Sequence, residues 1–337
     1  MATPPPWYHQ FNLDLLTRVL HTTLLHPIIP FFLPLAFLAL SHRPTSPPVV
    51  TSFFTAVLIF LYNNLSLYLS HPSGSARRFN PNTDVILITG GARGLGLLIA
   101  SIYGIRGVSV AVLDILPPKD EYPGVLFIQC DITNLNALEK ARKQVEEELG
   151  AVTVLISNAA VLDGRRIGEF NIPAVRRAME VNLMAQYYLL DVFLPGIRES
   201  GGVVVTVGSV LGGLAAAGTA LYAPPKAALK ALHQVLAAEM GREGGRVKMV
   251  WVELGQMRTE LFRGVETPNW FLAGEMEPVD VAKEVVRAVE EGVGGEVVLP
   301  LYARWVGLYT VLPVRVREWA RWLSGIDVAM DEWGKKN

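Results

Sequence analysis

The sequence predicts an α/β fold: a doubly wound parallel sheet of about seven strands with helices on both faces, behind a hydrophobic N-terminal membrane anchor. Three observations predict it. Short runs of Val, Ile and Leu without polar alternation recur from Asp84 onward, as in strands buried on both faces. Helical stretches lie between them. Residues 1–83 hold one acid (Asp14), four arginines (Arg18, Arg43, Arg77, Arg78) and no lysine, whereas the rest is ordinarily charged.

The chain has 337 residues, 51% hydrophobic and 18% charged, with mean hydropathy +0.33. That length allows one large core plus an appendage. Net charge is −1 with no basic run, so no nucleic-acid partner is expected. Cys130 is the only cysteine, which excludes an internal disulfide and a thiolate metal site. His9, His21, His26, His42 and His71 show no ligand spacing, and His233 reads as a packed or surface residue on a helix. No metal is expected.

Two apolar runs occupy the N-terminal region, residues 1–80. Leu24–Leu40 is uncharged but carries Pro27, Pro30 and Pro34. Val49–Leu69 is uncharged throughout, close to the ~20 residues that cross a bilayer. "SHRPTSPP" reads as the turn between them. A cleaved signal peptide fits poorly, because neither a basic leading segment nor a small-residue cleavage site is present. The second run is expected in a membrane; the first is a second span, a re-entrant leg or an interfacial segment. Two legs around a proline turn also suit a hairpin in a lipid-droplet monolayer. Arg77 and Arg78 follow the second run and place the next domain on the cytosolic side.

From residue 81 to 300 the strands read in order as "DVILIT", "VSVAVLDI", "GVLFIQCD", "VTVLISN", "GGVVVTVGS", "GRVKMVWVEL" and "EVVLP". "GGARGLGLLIASIYGIRG" continues the first strand as a glycine-led helix. "NLNALEKARKQVEEELG" is an amphipathic helix with a glycine stop. Residues 301–337 form an aromatic and basic tail.

"TGGARGLG" sits between the first strand and first helix, with glycines at Gly90, Gly94 and Gly96. A backbone that turns sharply and approaches a pyrophosphate needs glycine there, and the helix N-terminus offers free N–H groups to the phosphates. Strand, glycines and helix in this order predict a Rossmann-like dinucleotide site. Asp114 ends the second strand, where an acid accepts hydrogen bonds from ribose hydroxyls and repels a 2′-phosphate; NAD is expected over NADP. Arg93 in the turn pulls the other way, since a guanidinium pairs with phosphate.

"LYAPPKA" places Tyr222 and Lys226 four apart, on one face of a helix, with Pro224 and Pro225 between them. "TGGARGLG", "CDIT", "SNAA", "VN", "VGS" and "YAPPK", in this order and at these intervals, resemble a short-chain dehydrogenase/reductase over roughly residues 84–300. The resemblance assigns the catalytic residues to Asn182, Ser209, Tyr222 and Lys226. It also implies cofactor contacts at Gly90, Arg93, Gly94, Leu95, Gly96, Asp114, Asp131, Ile132, Asn158 and Thr259, besides Tyr222 and Lys226. In this family the tyrosine opens a long helix, here about Tyr222–Met240. First-turn N–H groups lack intrahelical partners, so the prolines forfeit little there.

The implied chemistry is hydride transfer. A free tyrosine, with a pKa of about 10, is too weak an acid to serve as phenolate at neutrality. A lysine one turn away and a positive nicotinamide ring are expected to lower that value. Tyr222 then takes or returns the hydroxyl proton, Ser209 hydrogen-bonds the reacting oxygen, and Asn182 holds a water linking Lys226 to solvent.

Three positions depart from the family pattern. Ala160 replaces a common glycine, Leu254 a common proline, and Glu253 puts a charge near the nicotinamide pocket. The anchor, the motif spacing and the tail resemble a membrane-associated branch containing retinol dehydrogenases and 17-beta-hydroxysteroid dehydrogenases. That implies lipophilic alcohols and carbonyls as substrates, an endoplasmic-reticulum or lipid-droplet membrane, and a homodimer of the kind common in the family. Phe262–Pro278 is expected as an apolar substrate lid carrying Phe262, Trp270, Phe271 and Leu272. Trp305, Tyr309, Trp319 and Trp322 with Arg304, Arg315, Arg317 and Arg321 suit a membrane interface, a pocket wall or a dimer contact. The competing functions are an NADPH-dependent ketone reductase of lipid metabolism and a catalytically silent membrane scaffold.

Overall fold

A computed structural model describes residues 11–70, 77–120, 122–265, 267, 269–331 and 333, with residues 67–70 described for backbone only. The chain divides into two units, Met1–Ser73 and Gly74–Asn337. The boundary falls before the expected residue 80, because Arg77 already belongs to the second unit. Its N–H donates to the Gly292 carbonyl at 2.7 Å, and its guanidinium pairs with the buried Asp84 carboxylate. One of the two arginines read as a topology signal is therefore a folding residue.

In the first unit, α1 (Leu13–Thr22) is capped by the Asn12 side chain. The proline-broken run folds as a short 3-10 turn and α2 (Phe32–Ala39). Eight residues make a rod of about 12 Å, which excludes α2 as a second span. α3 (Pro47–Ser70) is continuous for 24 residues, about 36 Å, and its Pro47–Ser66 stretch is long and apolar enough to cross a bilayer. Phe31 meets Phe53 and Phe60 edge-on at 6.2 and 6.3 Å.

The second unit holds a seven-stranded parallel sheet in the order β3-β2-β1-β4-β5-β6-β7. The strands are β1 (Val85–Thr89), β2 (Ser109–Asp114), β3 (Val125–Gln129), β4 (Val154–Ser157), β5 (Val203–Val207), β6 (Lys248–Leu254) and β7 (Gly295–Leu299). Each matches a predicted run. Successive side chains alternate between two cores. Val85 and Leu87 pack with α5 (Leu135–Glu148), α7 (Ala185–Ser200) and α9 (Ala223–Arg242). Ile86 and Ile88 pack on the other face with α4 (Gly94–Ile105) and α10 (Pro278–Glu291). Both faces bury apolar side chains, which is why the strands read as unbroken apolar runs.

Strand order reverses between β1 and β4, and the crevice outside their carboxyl ends is where such sheets bind ligands. Three helical pieces flank that crevice. α6 (Ile172–Met179) leads through a single π turn, Glu180–Met184, into α7. α8 (Leu211–Leu214) follows β5. The tail belongs to the same unit as the sheet and forms a 3-10 turn (Leu301–Trp305), α11 (Val306–Val311) and α12 (Val314–Ser324).

Candidate active site

The glycine turn is built by contact. A Cβ on Gly90 would lie 2.8 Å from the Ala159 Cα, and one on Gly96 would lie 2.5 Å from the Gly90 carbonyl oxygen and 2.7 Å from the Asn158 amide nitrogen. Gly90 has φ +65° and Gly94 φ +56°, conformations that favour glycine. Asn158 donates to the Thr89 and Gly90 carbonyls, both at 3.0 Å, and so staples the turn to the end of β4. The Thr89 hydroxyl accepts from the N–H groups of Asn158 and Ala159, a role that nothing in the sequence marked. Asp114 accepts from the Ala92 N–H at 3.1 Å and holds the turn against β2. Arg93 is exposed and stands at the N-cap of α4, where no side chain caps the helix. Leu95 is buried beneath the turn.

Asp131 bonds the N–H and hydroxyl of Thr133, which fixes the loop after β3, and Ile132 packs beneath it in the core. Thr259 lies over Gly94, within 3.9 Å of the place a Cβ would take there. Its hydroxyl is buried without a hydrogen-bond partner. A buried orphan donor of this kind calls for a ligand. Together with the glycine cradle and the free N-terminus of α4, it fits a dinucleotide cofactor.

The four catalytic candidates converge, and all are buried: Asn182, Ser209, Tyr222 and Lys226. Tyr222 is the N-cap of α9, so Pro224 and Pro225 fall in the first turn as expected. Lys226 lies one turn on, its Nζ 5.8 Å from the Tyr222 ring centre. That Nζ donates to the Val207 carbonyl at 2.8 Å and ties α9 to the end of β5. Ser209 follows two residues later; its hydroxyl accepts from the Leu211 N–H at 3.2 Å and is near enough to the Tyr222 phenol to lower its pKa. Phe262 meets the Tyr222 ring edge-on at 6.1 Å and makes an apolar wall beside the phenol.

Burial pushes the Tyr222 phenol up to about 12, against a lowering contribution from the Ser209 hydrogen bond. Burial also pushes Lys226 down to about 8. In the folded chain by itself desolvation of the phenol outweighs the lowering influences; the expected lowering depends on the nicotinamide ring as well as on the lysine.

Asn182 sits in the π turn, where the Ala185 N–H reaches back to the Glu180 carbonyl. Such turns are frequent at functional sites. Its side chain makes two bonds to one residue: Oδ1 accepts from the Val161 N–H at 2.9 Å and Nδ2 donates to the Val161 carbonyl at 2.8 Å. These bonds clamp the loop after β4. Asn182, Lys226 and Ser157 line one buried cavity, and the Ser157 hydroxyl is buried without a partner.

The departures from the family pattern find physical accounts. Ala160 has no positive φ, so its Cβ costs no backbone strain. Glu253 is not a bare charge beside the nicotinamide pocket. Its carboxylate turns to α9, pairs with Lys230 and accepts from the Trp251 Nε1 at 3.0 Å. Leu254 packs in the core formed with α10. The lid segment is strapped back by Gln256, which bonds the Val265 carbonyl and the Thr267 hydroxyl at 2.9 Å each. Phe262 is buried, while Phe271 and Leu272 are exposed.

Comparisons agree with this geometry. The family model described as short chain dehydrogenase matches residues 84–270. An uncharacterized oxidoreductase of Saccharomyces cerevisiae is 28% identical over 274 residues, covering 78% of this chain and 88% of that protein. Human short-chain dehydrogenase/reductase 3 is 30% identical over 218 residues, covering 61% and 71%. The crystal structure of a short chain dehydrogenase from Burkholderia cenocepacia in complex with NADP superposes with a TM-score of 0.60, at 26% identity, over 73% of this chain and 99% of that one. The chain belongs to the short-chain dehydrogenase family and is an NAD(P)-dependent oxidoreductase acting on alcohol and carbonyl groups.

Proposed function

We propose that this protein is a membrane-associated dehydrogenase that moves a hydride between NAD(H) and a lipophilic alcohol or carbonyl compound of retinoid, steroid or related lipid type. The observation that carries the reading is the buried Ser209–Tyr222–Lys226 group with Phe262 against the tyrosine ring. A bound nicotinamide supplies the hydride acceptor or donor. Tyr222 takes the hydroxyl proton at its phenol oxygen in oxidation and returns it in reduction. Ser209 donates to the same substrate oxygen and fixes its distance from the phenol. Lys226, held by the Val207 carbonyl, keeps a positive charge beside the ring below about pH 8 and favours the phenolate. Asn182 keeps the loop after β4 in place.

Gly90, Gly94 and Gly96 with the N-terminus of α4 would hold the pyrophosphate, Asp114 the adenosine ribose, and Thr259 the nicotinamide end. The acid at the end of β2 supports NAD. A second reading, an NADPH-dependent carbonyl reductase, is favoured by one observation: Arg93 is exposed at the turn, free to meet a 2′-phosphate. α3 supports anchoring in an endoplasmic-reticulum or lipid-droplet membrane, with the catalytic unit in the cytosol.

The test is formation of reduced nicotinamide by the detergent-solubilised full chain. Retinoid, steroid and long-chain alcohols would be offered with NAD or NADP, beside Tyr222→Phe. Turnover with NAD that vanishes in the variant supports the reading. Turnover with NADP alone moves it to the reductase.

A further inference from the structure

The tail presents an inverted helix. Arg317 and Arg321 of α12 turn toward the protein, whereas Trp319 and Trp322 are 61% and 77% exposed. Trp305, Leu308 and Val311, at and within α11, are exposed as well, the last at 76%. A helix at rest in water shows the opposite pattern. Exposed apolar surface on this scale marks a contact face.

The inward arginine has a structural task. Arg321 donates to the Leu214 carbonyl at 2.7 Å and the Ala215 carbonyl at 3.1 Å, which satisfies the C-terminal end of α8. It also pairs with Asp327, which accepts from the Ala217 N–H at 3.0 Å. Beyond α12, Asp331 pairs with Arg166 at 2.6 Å. A Cβ on Gly164 or on Gly218 would lie 2.6 or 2.7 Å from Met330. The tail is thus fastened to the loops after β4 and β5, the second of which joins Ser209 to Tyr222. Both loops leave the carboxyl ends of their strands, the end of the sheet where the site is built.

We propose that the outer face of α11 and α12 docks on a phospholipid surface and holds the loops around the active site against it. Two arguments select lipid. Tryptophans with arginines are the residues that settle at the headgroup level of a bilayer. The charge on the face also fits. Arg304 and Arg315 are exposed there beside a single exposed acid of α12, Glu318. Two copies meeting across a two-fold axis would oppose like charges, whereas lipid phosphates pair with them. This rests on the membrane association proposed above but not on the identity of the substrate.

The test uses the full chain in a Cys130→Ser background, since Cys130 is the only thiol and is buried. Trp319→Cys, Trp322→Cys and, on the exposed side of α5, Glu147→Cys would each carry an environment-sensitive fluorophore. Each protein is mixed with phosphatidylcholine vesicles containing a minor share of phosphatidylserine, with and without nitroxide-labelled acyl chains. Flotation of the same sample reports overall membrane association separately. The expected result is a blue shift and severalfold quenching at positions 319 and 322, with neither at 147. Protein that floats while all three labels stay unquenched overturns the docking and leaves the anchor standing. Protein that neither floats nor quenches overturns both. A blue shift that grows with protein concentration, without lipid quenching, assigns the face to a second copy and also overturns the proposal.

Discussion

Replacing Gly96 with alanine tests how the cofactor turn is built. The added Cβ would lie 2.5 Å from the Gly90 carbonyl oxygen and 2.7 Å from the Asn158 amide nitrogen. Neither atom is the free end of a flexible chain. One is backbone, and the amide already bonds two carbonyls at 3.0 Å. Overpacking of this kind costs about 1–3 kcal/mol. Breaking one of the Asn158 bonds adds about 1 kcal/mol. The sum of about 2–4 kcal/mol corresponds to about 30- to 900-fold in an equilibrium constant. It is read as a lower melting temperature, a weaker cofactor Kd, or both, by a thermal melt and by titration of reduced nicotinamide fluorescence. Gly94→Ala is the internal control. Its nearest neighbour would be Thr259 at 3.8 Å, so only the positive φ is charged, about 1–2 kcal/mol. If Gly96→Ala is milder than Gly94→Ala, or leaves melting and affinity unchanged, the reasoning about close approach is wrong.

The other predictions concern charge and protons. Asp84→Asn removes a buried partner of Arg77 and lowers stability by about 3–5 kcal/mol in chemical denaturation. Although burial raises the Asp84 pKa, the Arg77 guanidinium, the Asn80 N–H and the Thr153 hydroxyl outweigh it and hold the carboxyl below its usual value of 3.8. Its contribution is therefore present above that value and is lost as pH falls through the lower folded pKa, so the wild type should lose its advantage over Asp84→Asn only in acid. With Tyr222 raised to about 12, alcohol oxidation needs the phenolate and should quicken from neutral to alkaline pH, while carbonyl reduction needs the phenol and should not. A flat kcat/KM profile for oxidation would remove Tyr222 as the base. Glu253→Ala leaves Lys230 and the buried Trp251 N–H without their acceptor and should cost about 1–3 kcal/mol. Adding Lys230→Ala should give back part of that loss, and full additivity in the double-mutant cycle would deny the pairing.

The strands and their order of appearance were legible because every one is an apolar run, and runs buried on both faces carry no competing periodicity. The start of α9 was legible from the resemblance, which puts Tyr222 in the first turn of a helix, and from two prolines that lose little there. Long-range pairings were not. Glu253 reads as a misplaced charge until α9 brings Lys230 to it across 23 residues. Arg77 reads as a flanking charge until the fold sets it against Asp84 and Gly292. The π turn at Asn182 has no local signature, since "MEVNLMAQ" continues an ordinary helical pattern and only tertiary packing inserts the extra residue. The tail showed its tryptophans and arginines in sequence. Which of them face outward depends on Arg321 reaching α8 more than 100 residues away in the chain, and that is a property of the fold.

The most direct test of the central claim is the single-turnover rate of hydride transfer, followed as reduced nicotinamide, in the full chain and in Tyr222→Phe with the same lipophilic alcohol. Cofactor affinity would be measured in parallel. The account predicts loss of about two to four powers of ten in rate with cofactor affinity retained, the range expected when a positioned general base is removed. A variant that keeps the wild-type rate would contradict it, because the account assigns the proton transfer to the Tyr222 phenol.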